Sequence, residues 1–217
     1  MLAGIWMAAA LGAYPRAQAP AAPDRWADAM AAFAQADAEM PPPKRGIVFV
    51  GSSSIRLWDL AKHFPGMPAV NRGFGGSQIE DSIRHADLLV ARHAPRLVVL
   101  YAGDNDLSSG KTPRQVADDF AAFVRAVRAD LPETRIAFLA IKPSLARWEM
   151  VAKVREANGL IRAACDRDDR LAFVDVDGPM IGWNGQPRRE LFVEDGLHLS
   201  EEGYELWSTL LRPLLRG

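Results

Sequence analysis

The sequence predicts an α/β protein, a three-layer α/β/α sandwich around a five-stranded parallel sheet. Three observations carry that expectation. Short runs of apolar, often β-branched residues recur along the chain. None of the strong runs has a polar face, as in strands buried on both sides. Longer stretches of helical periodicity separate them, and alternation of this kind builds parallel sheets.

The elements follow in order. Residues 24–40 read as a helix, because Trp26, Met30, Phe33, Ala36 and Met40 fall near helical spacing and Asp24 can serve as its N-cap. Pro41-Pro42-Pro43 stops it. Residues 46–50 are the first strong strand, and Ala69-Val70-Asn71 is a weaker second. Residues 78–91 read as a helix and 96–101 as the third strand, around Leu97-Val98-Val99-Leu100. Thr112-Pro113 opens a helix with a cap followed by proline, and Val116, Phe120, Phe123, Val124, Val127 and Leu131 line one of its faces. Residues 136–141 form the fourth strand, 145–166 a helix and 171–175 the last strand. Ser200 caps a final helix that buries Tyr204, Trp207, Leu210 and Leu211.

Composition bounds the function. The 217 residues hold 26 Lys and Arg against 27 Asp and Glu, a formal charge of −1. That balance argues against a protein that grips nucleic acid or an anionic membrane. A single cysteine, Cys165, excludes an internal disulfide framework and a Cys-rich zinc site. No apolar run is long enough to predict a membrane span. Residues 1–14 carry no charge and precede Ala17-Gln18-Ala19, a small-x-small pattern. Residues 1–19 are therefore expected to be a cleaved signal peptide, with a periplasmic or secreted destination. Residues 20–43 form the lead-in, and 44–217 one domain without repeat or linker.

Ligands of open parallel sheets bind at the carboxyl ends of the strands. Gly51-Ser52-Ser53-Ser54 follows the first strand, and Gly73-Phe74-Gly75-Gly76-Ser77 the second. Gly103-Asp104-Asn105-Asp106 follows the third, and Asp195-Gly196-Leu197-His198 lies beyond the fifth. Taken singly, these are a helix cap, a tight turn and a surface loop. Together they supply what acyl transfer needs. A serine hydroxyl requires a base, an imidazole requires a carboxylate to hold its tautomer, and a tetrahedral intermediate requires N–H donors. Ser52 and Ser54 remain rivals of Ser53 on spacing alone.

In order and content the four blocks resemble the SGNH hydrolases, the GDSL family of serine esterases and lipases. The resemblance spans about residues 46–212 and implies a flavodoxin-like fold. It matches Ser53 to the nucleophile, His198 to the base and Asp195 to its partner. The oxyanion donors match Ser53 N–H, Gly76 and Asn105. Two positions depart from the pattern: Ser52 stands for the aspartate of Gly-Asp-Ser, and Ser77-Gln78 for the usual Asp-Thr. No Gly-x-Ser-x-Gly elbow of the α/β-hydrolase type exists in the chain.

The expected activity is hydrolysis of a small or medium-chain carboxylic ester through an acyl-enzyme, with no metal and no cofactor. No long insertion offers a lipase lid, which favours small soluble esters. The same site could serve a carbohydrate O-acetyl esterase or an acyltransferase, and a non-catalytic binder of an anion, a nucleotide or a sugar is the rival of another class. Trp148, Met180 and Trp183 are candidates for lining a substrate pocket. Lys142 reads as a surface lysine, His63, His85 and His93 as surface histidines, and Cys165 as a core or boundary residue. Asp106 is expected to order the loop that holds Asn105.

Overall fold

Three apolar runs that cannot face water on either side pair edge to edge with two half-buried edge strands, and the pairing generates the sheet. The structure, a computed structural model, describes residues 24–216. The expected signal peptide at 1–19 lies outside them. Strands β1 (Ile47–Gly51), β2 (Ala69–Gly73), β3 (Leu97–Tyr101), β4 (Arg135–Leu139) and β5 (Leu171–Val174) form one sheet in the order β2-β1-β3-β4-β5. Every pair is parallel and in simple register, for example Phe49 opposite Asn71 and Val99. Reversal of strand order between β1 and β3 makes a switch point, where a crevice opens outside the strand ends.

Helices α1 (Ala27–Glu39), α2 (Ser53–Arg56), α3 (Leu60–His63), α4 (Ile79–Arg84) and α5 (Ala86–Leu89) belong to the first half of the chain. Helices α6 (Asp104–Ser108), α7 (Pro113–Asp130), α8 (Val151–Cys165), α9 (Asp177–Met180) and α10 (Glu201–Leu215) complete the two outer layers. Alternate strand residues point to opposite faces. Val48, Val50, Val98 and Leu100 pack with Ile79, Phe120, Phe123 and Ile161. Ile47, Phe49, Val99 and Tyr101 pack with Ile55, Trp58, Trp207 and Leu211 on the other side. β2, an edge strand, is only half buried over Ala69 to Asn71, which explains its weak signal in the sequence.

Some expectations change. The helix expected over 78–91 is broken at His85, whose Nε2 lies 3.0 Å from an Asp24 carboxylate oxygen, and gives α4 and α5. Asp24 does not cap α1; its carboxylate accepts the Trp26 N–H one turn earlier. The helix expected from 145 starts at Val151, after a bend and turn over residues 145–147 and a short 3₁₀ turn, Trp148–Met150.

Lys142 is 2% exposed and not a surface lysine, because its ammonium is taken up by Tyr101 and Asp104. His63 and His93 are likewise buried. His63 Nδ1 donates to the Asp59 carbonyl at 2.8 Å and its ring packs near Trp58 and Tyr204, whereas His93 faces Asp37. Cys165 is buried at the end of α8. No described helix is long and apolar enough to cross a membrane.

Candidate active site

The site begins at a glycine. Gly51 ends β1 at φ 144°, and a Cβ there would lie 1.9 Å from the Tyr101 carbonyl oxygen. Only glycine lets the chain turn this close to β3. Ser52 then accepts the first α2 amides on its carbonyl, and Ser53 opens the helix. N–H groups of a first helical turn have no carbonyl within the helix to bond, so that of Ser53 is available to a ligand.

The three serines separate clearly. Ser53 Oγ lies 2.9 Å from His198 Nε2. Ser54 is buried with its oxygen toward Lys142, and Ser52 is buried in the turn. His198 Nδ1 lies 2.6 Å from Asp195 Oδ2. The other Asp195 oxygen accepts the backbone N–H groups of Leu197 and His198 at 2.8 and 2.9 Å.

Desolvation alone would raise the Asp195 carboxyl, but the bonds from the His198 ring and these two amides overcome it and hold it at about 2. The carboxylate is therefore ionised and acts only as acceptor. Nδ1 must carry the proton, which leaves Nε2 with a lone pair toward Ser53 Oγ.

The neighbouring loops close on this line. Phe74 N–H donates to the Gly51 carbonyl at 2.9 Å, which ties the loop after β2 to the serine turn. Gly76 stands in that loop at φ 76°, a left-handed conformation that a side chain would strain. Asn105 Nδ2 donates to the Ser77 carbonyl at 3.0 Å, joining the loop after β3 to the same place. Asp106 is fully buried and accepts from Ile79 N–H and Lys111 Nζ. Burial raises its carboxyl above the ordinary range, with Lys111 opposing. It anchors α4 against the Asn105 turn, consistent with its expected ordering role.

The pocket candidates divide. Met180 is fully buried and its sulfur accepts the Trp207 indole N–H at 3.4 Å, so it is a core residue and lines no open space. Trp183 is fully exposed. Trp148 is half buried, with the Arg155 guanidinium 5.8 Å from its ring centroid. A residue absent from the sequence reading enters here: Arg147 bonds Asp104 and Asn105. Its segment has the sequence of a helix, and no motif marks it.

Fold and geometry together define a class: a doubly wound α/β protein with a serine–histidine–aspartate line at the carboxyl edge of its sheet. The chain belongs to the GDSL-like lipase/acylhydrolase family, whose model matches residues 53–206. Among solved structures it is similar to a Streptococcus pneumonia protein whose name refers to platelet activating factor. That match has 25% identity over 87% of this chain and 92% of the other, with a TM-score of 0.78. A GDSL-like lipase from Bacteroides thetaiotaomicron matches at 20% identity over 86% and 97%, with a TM-score of 0.74. A family 3 carbohydrate esterase from Talaromyces cellulolyticus shares the fold at 16% identity over 78% and 95%, with a TM-score of 0.61. No curated protein matches the sequence at a significant level.

Proposed function

We propose that the protein is a serine esterase that cleaves small or medium-chain carboxylic esters through an acyl-enzyme. The observation that carries this reading is the line from Asp195 through His198 to Ser53 Oγ. Ser53 Oγ attacks the ester carbonyl carbon while His198 Nε2 takes its proton. The carbonyl oxygen becomes an oxyanion, held by Ser53 N–H, Gly76 N–H and Asn105 Nδ2. Collapse breaks the bond to the alcohol oxygen, which receives the proton from Nε2. Water repeats the sequence on the acyl-Ser53 ester and releases the acid.

The test combines labelling and kinetics. A fluorophosphonate should modify Ser53 alone, and Ser53→Ala and His198→Ala should each lower kcat toward nitrophenyl acetate by about 10⁴-fold or more. A nitrophenyl-ester series from acetyl to dodecanoyl then sets the acyl length. Activity that survives in Ser53→Ala removes the assignment. Absence of both adduct and turnover in the wild type favours the non-catalytic binder.

A second reading concerns the alcohol. A cleft of about 660 Å³ abuts the Asp195 turn, sharing Leu145 with it, and is lined by Trp183, Asn184, Gln186, Arg188 and Glu190. An exposed indole among amides and charges suits the face and hydroxyls of a sugar better than an acyl chain. On this reading the ester is a carbohydrate O-acetyl group. Trp183→Ala should lower kcat/KM for acetylated xylo-oligosaccharides about tenfold and leave nitrophenyl acetate unchanged. Equal effects on both substrates would count against the sugar.

A further inference from the structure

Behind Asn105 lies a chain of buried charge that the reaction above does not use. Tyr101 OH bonds Lys142 Nζ at 3.0 Å, and Lys142 Nζ bonds Asp104 Oδ2 at 3.2 Å. Asp104 Oδ1 accepts from Arg147 at 2.7 Å. The same guanidinium donates from both terminal nitrogens to Asn105 Oδ1, at 3.2 and 3.3 Å. The side chains of Lys142 and Asp104 are 1% and 7% exposed, and that of Arg147 is 22% exposed. Structural charges on the surface of a sandwich need no such arrangement.

We infer that Arg147 is a positioning residue that fixes the orientation of the Asn105 carboxamide and so keeps a donor, not an acceptor, toward the oxyanion. The inference rests on the serine-esterase reading. A carboxamide has nearly the same shape after a half-turn about its last bond, but the turn exchanges oxygen for NH₂. In the observed orientation Oδ1 meets two guanidinium N–H groups and Nδ2 meets the Ser77 carbonyl. The flipped amide would set donors against the guanidinium and an acceptor against the carbonyl. Two mismatches in a partly dry site exclude it.

Nδ2 carries two protons, one for the Ser77 carbonyl and one for the substrate oxygen. Without Arg147 only the Ser77 carbonyl opposes the flip. Arg147 is to Asn105 what Asp195 is to His198, a fixed charge that selects one of two hydrogen-bonding states.

The buried partners explain how Arg147 stays in place. Asp104 is buried, and desolvation would raise its carboxyl. Lys142 and Arg147 outweigh that and hold it below the ordinary range, so it stays ionised. Two cations around one carboxylate leave one net positive charge behind Asn105, on its Oδ1 side. A guanidinium on Oδ1 also polarises the amide and strengthens its N–H donors. The loop is held from the opposite side, where Ala146 N–H donates to the Gly196 carbonyl at 3.0 Å within the Asp195–His198 turn.

Nitrophenyl acetate kinetics on the full chain test this, using wild type, Arg147→Ala, Asn105→Ala and the double variant, with a thermal melt of each. Arg147→Ala should lower kcat about tenfold to a hundredfold, with KM within about twofold, since the donor acts mainly on the transition state. In the Asn105→Ala background the same change should remove no more than about a further twofold, because there is no amide left to orient. If Arg147→Ala does not fold, Arg147→Lys, which cannot fork, should show the same loss of kcat and the same non-additivity. Additive losses, or an Arg147 variant within about twofold of wild type, overturn the inference while the esterase reading stands. A wild type inert to both ester and fluorophosphonate removes the reading and the inference together.

Discussion

Lys142 and Cys165 show how burial decides what a reactive side chain does. Lys142 has exchanged water for Tyr101, Asp104 and, at 3.4 Å, Ser54 Oγ. Burial lowers its ammonium, but the phenol and carboxylate outweigh that and hold it above the ordinary lysine range. Removing one member of a buried pair strands the other, so Lys142→Met should lower the unfolding free energy by about 3 kcal/mol. Urea unfolding checks this, and a midpoint equal to wild type would mean that Arg147 alone satisfies Asp104. Cys165 is the opposite case: burial raises its thiol to about 11, so it remains protonated and unreactive at neutral pH. Ellman's reagent at pH 8 should find no thiol in the folded protein and one in guanidinium, whereas rapid reaction in buffer would contradict its burial. The sequence could mark these positions but not their partners. Lysine is rarely buried unpaired, and Asp104 reaches Lys142 only once β3 and β4 lie side by side.

At the scale of elements, what the sequence announces locally is what the fold keeps. Thr112 Oγ1 accepts the Gln115 N–H, the Gln115 side chain accepts the Thr112 N–H, and Pro113 takes the first helical position of α7. Thr112→Ala should therefore lower stability by about 1 kcal/mol, read as a lower urea midpoint at unchanged slope. An unchanged midpoint would mean that the packing of Val116, Phe120 and Phe123 alone sets the start of α7. The three interior apolar strands, β1, β3 and β4, and the caps of α7 and α10 are readable in this way, because period and end chemistry are local. The break of one predicted helix into α4 and α5 is not, since no glycine or proline marks it. Nor is the late start of α8. Residues 145–147 have helical composition, but Arg147 turns to Asp104 and Asn105, and Ala146 donates to Gly196, so both leave the helix. Ser53, Gly76 and Asn105 could be read as following strand ends, and Asp195 and His198 as a loop beyond the last strand. Their distances could not, because strand order is a property of the sheet.

For the molecule as a whole, the same carboxylate that orients His198 links the site to acid stability. Asp195 is held at about 2 in the folded chain, below the value of about 3.9 expected when unfolded. Between those values the unfolded state binds the extra proton, so stability falls as pH falls through this window. The contribution is fully present above the unfolded value and is lost as pH drops toward the folded one. Asp195→Asn keeps the shape and removes the titration. The difference in urea midpoint between wild type and Asp195→Asn should shrink as pH falls through the window from about 4 toward about 2. Asp104 is displaced in the same direction and adds to the acid slope of both proteins equally, so it cancels in the difference. Parallel pH profiles for the two proteins would mean that the Asp195 carboxylate is not held by His198 and the two amides in solution. The stability measurement therefore tests the geometry of the proposed site without any substrate, and it keeps its meaning whichever ester the protein cleaves.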